Sequence, residues 1–328
     1  MNLAKRPSTH FLLGSVLCAP LALGSLVLSS LAQAEAPDAV RFAVPPWPGV
    51  TVKSEVAATL LDTLGYATQK KELGATIAYQ ALSQNELDVY LAAWLPAQQG
   101  MYDTSTQGES QLVDLGTNVD GARLGFVVPS YVYDAGYTSA KDLCSEELRD
   151  KVGGVLYSIE VGSGTSDLLA KMQDEGTYCL DQWNLSETSS TGMFSQAKST
   201  IDRDEWIVFY AWTPHWASIE YDIEFLDDPE DAWGPDGGRS DVRTLVTHEF
   251  AESNPNAARL LGQLIFSADQ QSEMIRGYSY EEREVDDVAL TWMRNNPAKI
   301  KAFLDGVTTR DGQPAWPVVQ ETLQIPEA

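Results

Sequence analysis

The stretch Arg41-Phe42-Ala43-Val44-Pro45-Pro46-Trp47-Pro48-Gly49, read on to Ala93-Trp94-Leu95-Pro96, decides the fold. Arg41–Val44 has the length and apolar content of a strand, and the proline pair ends it. From Ser54 to Leu64 the apolar residues Val56, Ala57, Leu60, Leu61 and Leu64 recur with helical period, and Gly65 stops the run. A second helical stretch from Thr76 to Leu82 leads into the strand Val89–Ala93. Strand, helix and strand within about 55 residues form the βαβ unit of a parallel sheet.

The same pattern restarts further along. Leu124–Pro129 reads as a strand, then Val155–Ile159 as strand, Thr165–Met172 as helix and Trp206–Ala211 as strand. Residues 227–241 are rich in Asp, Gly and Pro and read as a loop; Thr244–Thr247 is a strand again. Beyond it the chain is mostly helical. Pro255 opens a helix whose apolar face is Ala257, Leu260, Leu261, Leu264 and Ile265, and a long helix from Val285 to Leu304 is interrupted at Pro297. The expected fold class is α/β: two lobes, each a mostly parallel sheet flanked by helices. One lobe takes residues 35–125 and 242–328, the other residues 126–241. A ligand belongs in the cleft between them, where the carboxyl ends of strands converge.

Three tryptophans share one local setting. Trp47, Trp94 and Trp212 each follow a short apolar run and are fenced by proline. That places indole faces at the rim of a sheet, where they attract a cation unable to donate hydrogen bonds. The plainer alternative is ordinary core packing.

Composition narrows the classes. Lys5 and Arg6, the apolar stretch from Phe11 to Leu31 and Ala32-Gln33-Ala34 read as a cleaved signal peptide over residues 1–34. Subtracting Lys5 and Arg6 from 22 basic residues leaves 20 against 47 acidic ones, a net charge of −27 that argues against nucleic acid as a partner. The chain so exported keeps two cysteines, Cys144 and Cys179, expected to form a disulfide. Only His215 and His248 remain as histidines, and no Asp, Glu or His set has metal-ligand spacing, so neither a metal nor another cofactor is expected.

At Glu160-Val161-Gly162-Ser163-Gly164-Thr165-Ser166 a strand passes into a helix through small residues. Glycines admit a ligand to the backbone, and helix-start N–H groups favour an anionic oxygen such as a carboxylate. Gly162, Ser163, Gly164, Thr165 and Ser166 are therefore candidate ligand contacts; the plainer reading is a helix cap. A hydrolase would have to use Ser163 or Ser166 with His215, but the turn does not match the G-x-S-x-G nucleophile elbow.

The chain resembles the substrate-binding proteins of ABC importers for glycine betaine, choline and related quaternary amines. The resemblance rests on Trp47-Pro-Gly-Val-Thr-Val-Lys53, Asp88-Val-Tyr-Leu-Ala-Ala-Trp-Leu-Pro-Ala-Gln98 and Trp206-Ile-Val-Phe-Tyr-Ala-Trp-Thr-Pro-His215. It implies a two-lobed, type II periplasmic-binding-protein clamshell. It also implies a box of Trp47, Trp94 and Trp212 around a trimethylammonium group, with the Gly162–Ser166 turn at the ligand's polar end. Choline-type members carry an aspartate two residues after the first tryptophan, where this chain has Gly49, and a box tyrosine where it has Leu124. Both differences favour a zwitterion such as glycine betaine, carnitine or a sulfonium analogue over choline. The implied protein is a monomeric periplasmic receptor, not an enzyme. Its partner would be an inner-membrane ABC permease with a cytoplasmic ATPase. An exported small-ester hydrolase and an amino-acid or sugar receptor are the competing classes.

Overall fold

The computed structural model describes residues 39–107 and 111–327. The expected signal peptide lies outside the described residues. Among the described residues, eleven strands fall in two sheets. In chain order they are β1 (Val40–Val44), β2 (Thr68–Glu72), β3 (Val89–Leu95), β4 (Val113–Asp120), β5 (Arg123–Pro129) and β6 (Val155–Ser158), followed by β7 (Asn184–Glu187), β8 (Val208–Thr213), β9 (Ile223–Phe225), β10 (Asp241–Val246) and β11 (Phe266–Ser267). The first sheet has the order β11-β4-β10-β3-β1-β2 and the second β7-β6-β8-β5-β9. Helices flank both, and the molecule is a two-lobed α/β protein.

Both sheets are mixed. β1 runs parallel to β2 and β3, and β6 runs parallel to β7 and β8. Every antiparallel pair involves β5 or β10. These are the strands by which the chain enters each lobe. An entering strand starts on the cleft side and runs away from it, whereas β3 and β8 deliver their carboxyl ends to the cleft. The two crossings lie side by side: Ser240 N–H donates to Ala122 O at 3.0 Å, Arg123 Nε donates to Gly237 O at 2.7 Å, and Arg123 bridges Arg239.

Several elements begin earlier than the sequence periodicity indicates. The first helix spans Pro48–Thr63, with Trp47 at its N-cap and Pro48 in the first turn, where a missing N–H is harmless. Polar β2 escapes an alternation test because, as the sheet's edge strand, it is largely uncovered. The helix Gln99–Gln107 and β4 also carry too little apolar periodicity to be read. The Pro255–Gln263 helix buries Ala257, Leu260 and Leu261, and Leu264 follows them into the core, but Ile265 is exposed because the helix has already ended. Pro297 divides the last long helix into Val285–Asn295 and Pro297–Phe303. Cys144 and Cys179, separated by 35 residues, are joined as a disulfide between two 3-10 turns of the second lobe.

Candidate functional site

The carboxyl end of β3, the carboxyl end of β8 and the amino end of the Pro48–Thr63 helix meet at one pocket. Trp47, Trp94, Tyr210, Trp212 and Leu124 line it together with Lys53, Gln98, Ile159, Gly164, Thr165 and Gln271. All three tryptophans singled out by their setting are therefore brought together. Trp47 and Trp212 are buried and Trp94 half-buried, so they are packed and pocket-lining at once.

Strand geometry explains the second wall. Tyr210 and Trp212 are two residues apart on β8, so both face the same side. Their rings stack with centroids 5.5 Å apart. Leu124 on β5 stands opposite Trp212 in the register. Behind Trp212, Phe194 and His215 close the wall, and their rings stack at 4.0 Å. Tyr210 is a fourth pocket aromatic that the tryptophan pattern does not reveal; the signal available was its two-residue offset from Trp212. Burial pushes its phenol pKa well up, against the opposing pull of a hydrogen bond with Thr165, so it stays neutral.

The first lobe supplies the polar groups. Lys53, on the Pro48–Thr63 helix, is fully buried. Its Nζ donates to Leu91 O at 2.9 Å and Asn118 Oδ1 at 2.6 Å, and Asn118 donates on to Thr244 at 3.0 Å. Burial lowers the Lys53 pKa to about 7. Gln271, from the Ala268–Ile275 helix, donates to Gly49 O at 2.9 Å, while its Oε1 is buried without a partner. Neither residue was among the sequence candidates. Lys53 was detectable in principle: it sits at helical spacing between Val50 and Val56, a charge on an apolar stripe.

The Gly162–Ser166 turn divides. Gly164 and Thr165 line the pocket at the start of the Gly164–Glu175 helix, whose first N–H groups lack intrahelical acceptors. Ser163 is the N-cap, accepting from Ser166 N–H at 3.2 Å, and the Ser166 hydroxyl donates to Glu187. Gly162 O accepts from Thr76 Oγ1 at 3.0 Å. Gly164 has to be glycine for a spatial reason. A Cβ there would stand 2.5 Å from Ala97 O of the first lobe. The lobes also meet through Trp47 Nε1, which donates to Glu160 Oε1 at 2.7 Å, and through the Arg276–Glu220 ion pair.

His215 is not placed for base catalysis. Its Nδ1 accepts from Ala217 N–H at 3.2 Å, and burial lowers its pKa to about 3. Among the described residues neither Ser163 nor Ser166 bonds to it. Also among the described residues, no three potential metal ligands cluster, and no helix is long and apolar enough to cross a membrane.

Comparison with known proteins agrees with this architecture. Residues 38–295 match the family model for the substrate-binding domain of ABC-type glycine betaine transport systems. The glycine betaine/carnitine transport binding protein of Listeria monocytogenes is 28% identical over 179 residues, 54% of this chain and 58% of that relative. An ABC-transporter choline-binding protein solved with choline superposes with a TM-score of 0.82 at 28% identity, over 87% of this chain and 98% of the other. Lactococcal OpuAC, in its closed form with glycine betaine, superposes at 0.73 with 22% identity over 81% and 99% of the two chains, a likeness of fold. These relatives are solute-binding proteins of ABC transporters, and the chain is a solute-binding protein rather than an enzyme. It belongs to the family of substrate-binding domains of glycine betaine and choline ABC transporters.

Proposed function

We propose that the chain captures a quaternary ammonium or sulfonium compatible solute such as glycine betaine and delivers it to an ABC permease. The observation that carries this reading is the convergence of Trp47, Trp94, Trp212 and Tyr210 on one pocket. Each desolvated aromatic face contributes on the order of 0.5–2 kcal/mol to holding a methylated cation. Several faces, with burial of the methyl groups, are consistent with micromolar binding at about −8 kcal/mol. The backbone N–H groups of Gly164 and Thr165 take the ligand's carboxylate, while Gly162, Ser163 and Ser166 shape the turn that presents them. The lobes, residues 35–125 with 242–328 and residues 126–241, close about the paired crossings, and the closed form docks on the inner-membrane permease. The protein acts as a periplasmic monomer.

Calorimetry with isosteres that carry and lack the quaternary nitrogen tests the reading. Glycine betaine should bind, and 3,3-dimethylbutyrate, which replaces the nitrogen by carbon, should bind at least tenfold more weakly. Equal binding would show that the pocket measures shape and not charge. Choline is the main competitor, because a choline-binding protein shares the fold over most of its length.

A further inference from the structure

Among the residues lining the pocket only Lys53 carries a charge. An ammonium has three donors, and the two acceptors that hold it are Leu91 O and Asn118 Oδ1. Both are neutral. Burying a lysine against neutral groups is costly, and burial is the cause of its lowered pKa. The groups bonded around it offer no counter-charge: Asn118 on β4 passes its own hydrogen bond to the Thr244 hydroxyl on β10, and the remaining lining residues of the pocket, Gln271, Tyr210, Gly164 and Thr165 among them, are uncharged. Glu160, the acid at the pocket's margin, is bonded to Trp47 Nε1. Position 49 offers no acid either. A Cβ on Gly49 would meet Gln271 Nε2 at 2.7 Å, so a neutral amide fills that space.

We infer that Lys53 is the counter-charge for an anionic group on the ligand, so that the pocket selects zwitterionic onium compounds bearing a carboxylate over purely cationic ones. This rests on the function proposed above and names what that reading leaves open. A carboxylate would then be held from both lobes, by the Lys53 ammonium and by the N–H groups of Gly164 and Thr165. A cation such as choline would bring a second positive charge into a pocket whose one charged lining residue is Lys53.

Binding should therefore move a proton. Above pH 7 the empty pocket holds Lys53 largely neutral. A carboxylate beside it favours the ammonium and raises its pKa, so binding takes up a proton and affinity falls as pH rises beyond 7.

The test is calorimetry at pH 8 in phosphate and in Tris, whose ionisation enthalpies differ. Uptake approaching one proton per glycine betaine, and none for choline, is the expected result; no uptake with glycine betaine overturns the inference. In parallel, Lys53→Met and Lys53→Gln should lose at least tenfold in glycine betaine affinity and bind choline no more weakly than the wild type. Equal losses for both ligands would make Lys53 a structural strut and also overturn it. If Lys53→Met fails to fold, proton uptake by the wild type decides alone. A wild-type protein that binds neither ligand refutes the proposed function itself, an outcome distinct from the others.

Discussion

Trp212 and Trp292 are almost equally buried, 6% and 5% exposed, yet they belong to regions with different work to do. Trp292 lies within the Val285–Asn295 helix with Val288 and Ala289 one turn before it, and packs on Phe266 and Phe303 at centroid distances of 5.3 and 6.4 Å. Trp212 ends a strand, stacks on Tyr210, is backed by Phe194 and His215, and still turns a face to the pocket. Burial does not separate the two. Position does: an aromatic at helical spacing among apolar residues is spent on the core, whereas one at a strand's carboxyl end meets the cleft.

Trp292→Ala should give the largest effect. It is expected to cost about 3–5 kcal/mol in denaturant unfolding while leaving the affinity of the folded protein unchanged. A loss of affinity without loss of stability would erase the distinction between the two regions. Opening the Cys144–Cys179 disulfide by a double serine substitution should cost about 3–4 kcal/mol from its loop length, again with affinity retained, since neither cysteine lines the pocket. Thiol labelling of denatured, unreduced protein supplies the control, and two reactive thiols per molecule would contradict the bond.

His215 probes the wall behind Trp212. Its folded pKa of about 3 lies below the unfolded value near 6.5, so the unfolded chain takes up the proton first. The stability it contributes is present above pH 6.5 and is lost as pH falls toward 3, at roughly 1.4 kcal/mol per pH unit at most. The slope should shrink in His215→Gln; an unchanged slope would mean that water already reaches the ring. The smallest expected effect is at Trp94, the half-buried member of the pocket. Trp94→Ala should weaken glycine betaine by about 1–2 kcal/mol with little change in melting temperature. A melting loss as large as that of Trp292→Ala would return Trp94 to the core.

The sequence determined the two-lobed α/β order and the three tryptophans, because proline fencing and hydrophobic period are local and one-dimensional. It also placed Gly164 and Thr165 at the mouth of a helix. Other elements stayed hidden for physical reasons. β2 is an edge strand with polar faces, and Ile265 keeps the helical period one residue past the helix end. The expectation of mostly parallel sheets holds for the βαβ halves, and the entering strands β5 and β10 supply the antiparallel remainder. Only the tertiary structure decided the polar side of the pocket. Lys53 and Gln271 lie 218 residues apart in the chain and come together because helices from both ends pack on one sheet. No local rule links a lysine in the first helix to a glutamine in a late one. Whether a buried charge is an error or a recognition element depends on what faces it across the cleft, and that is a property of the folded lobes.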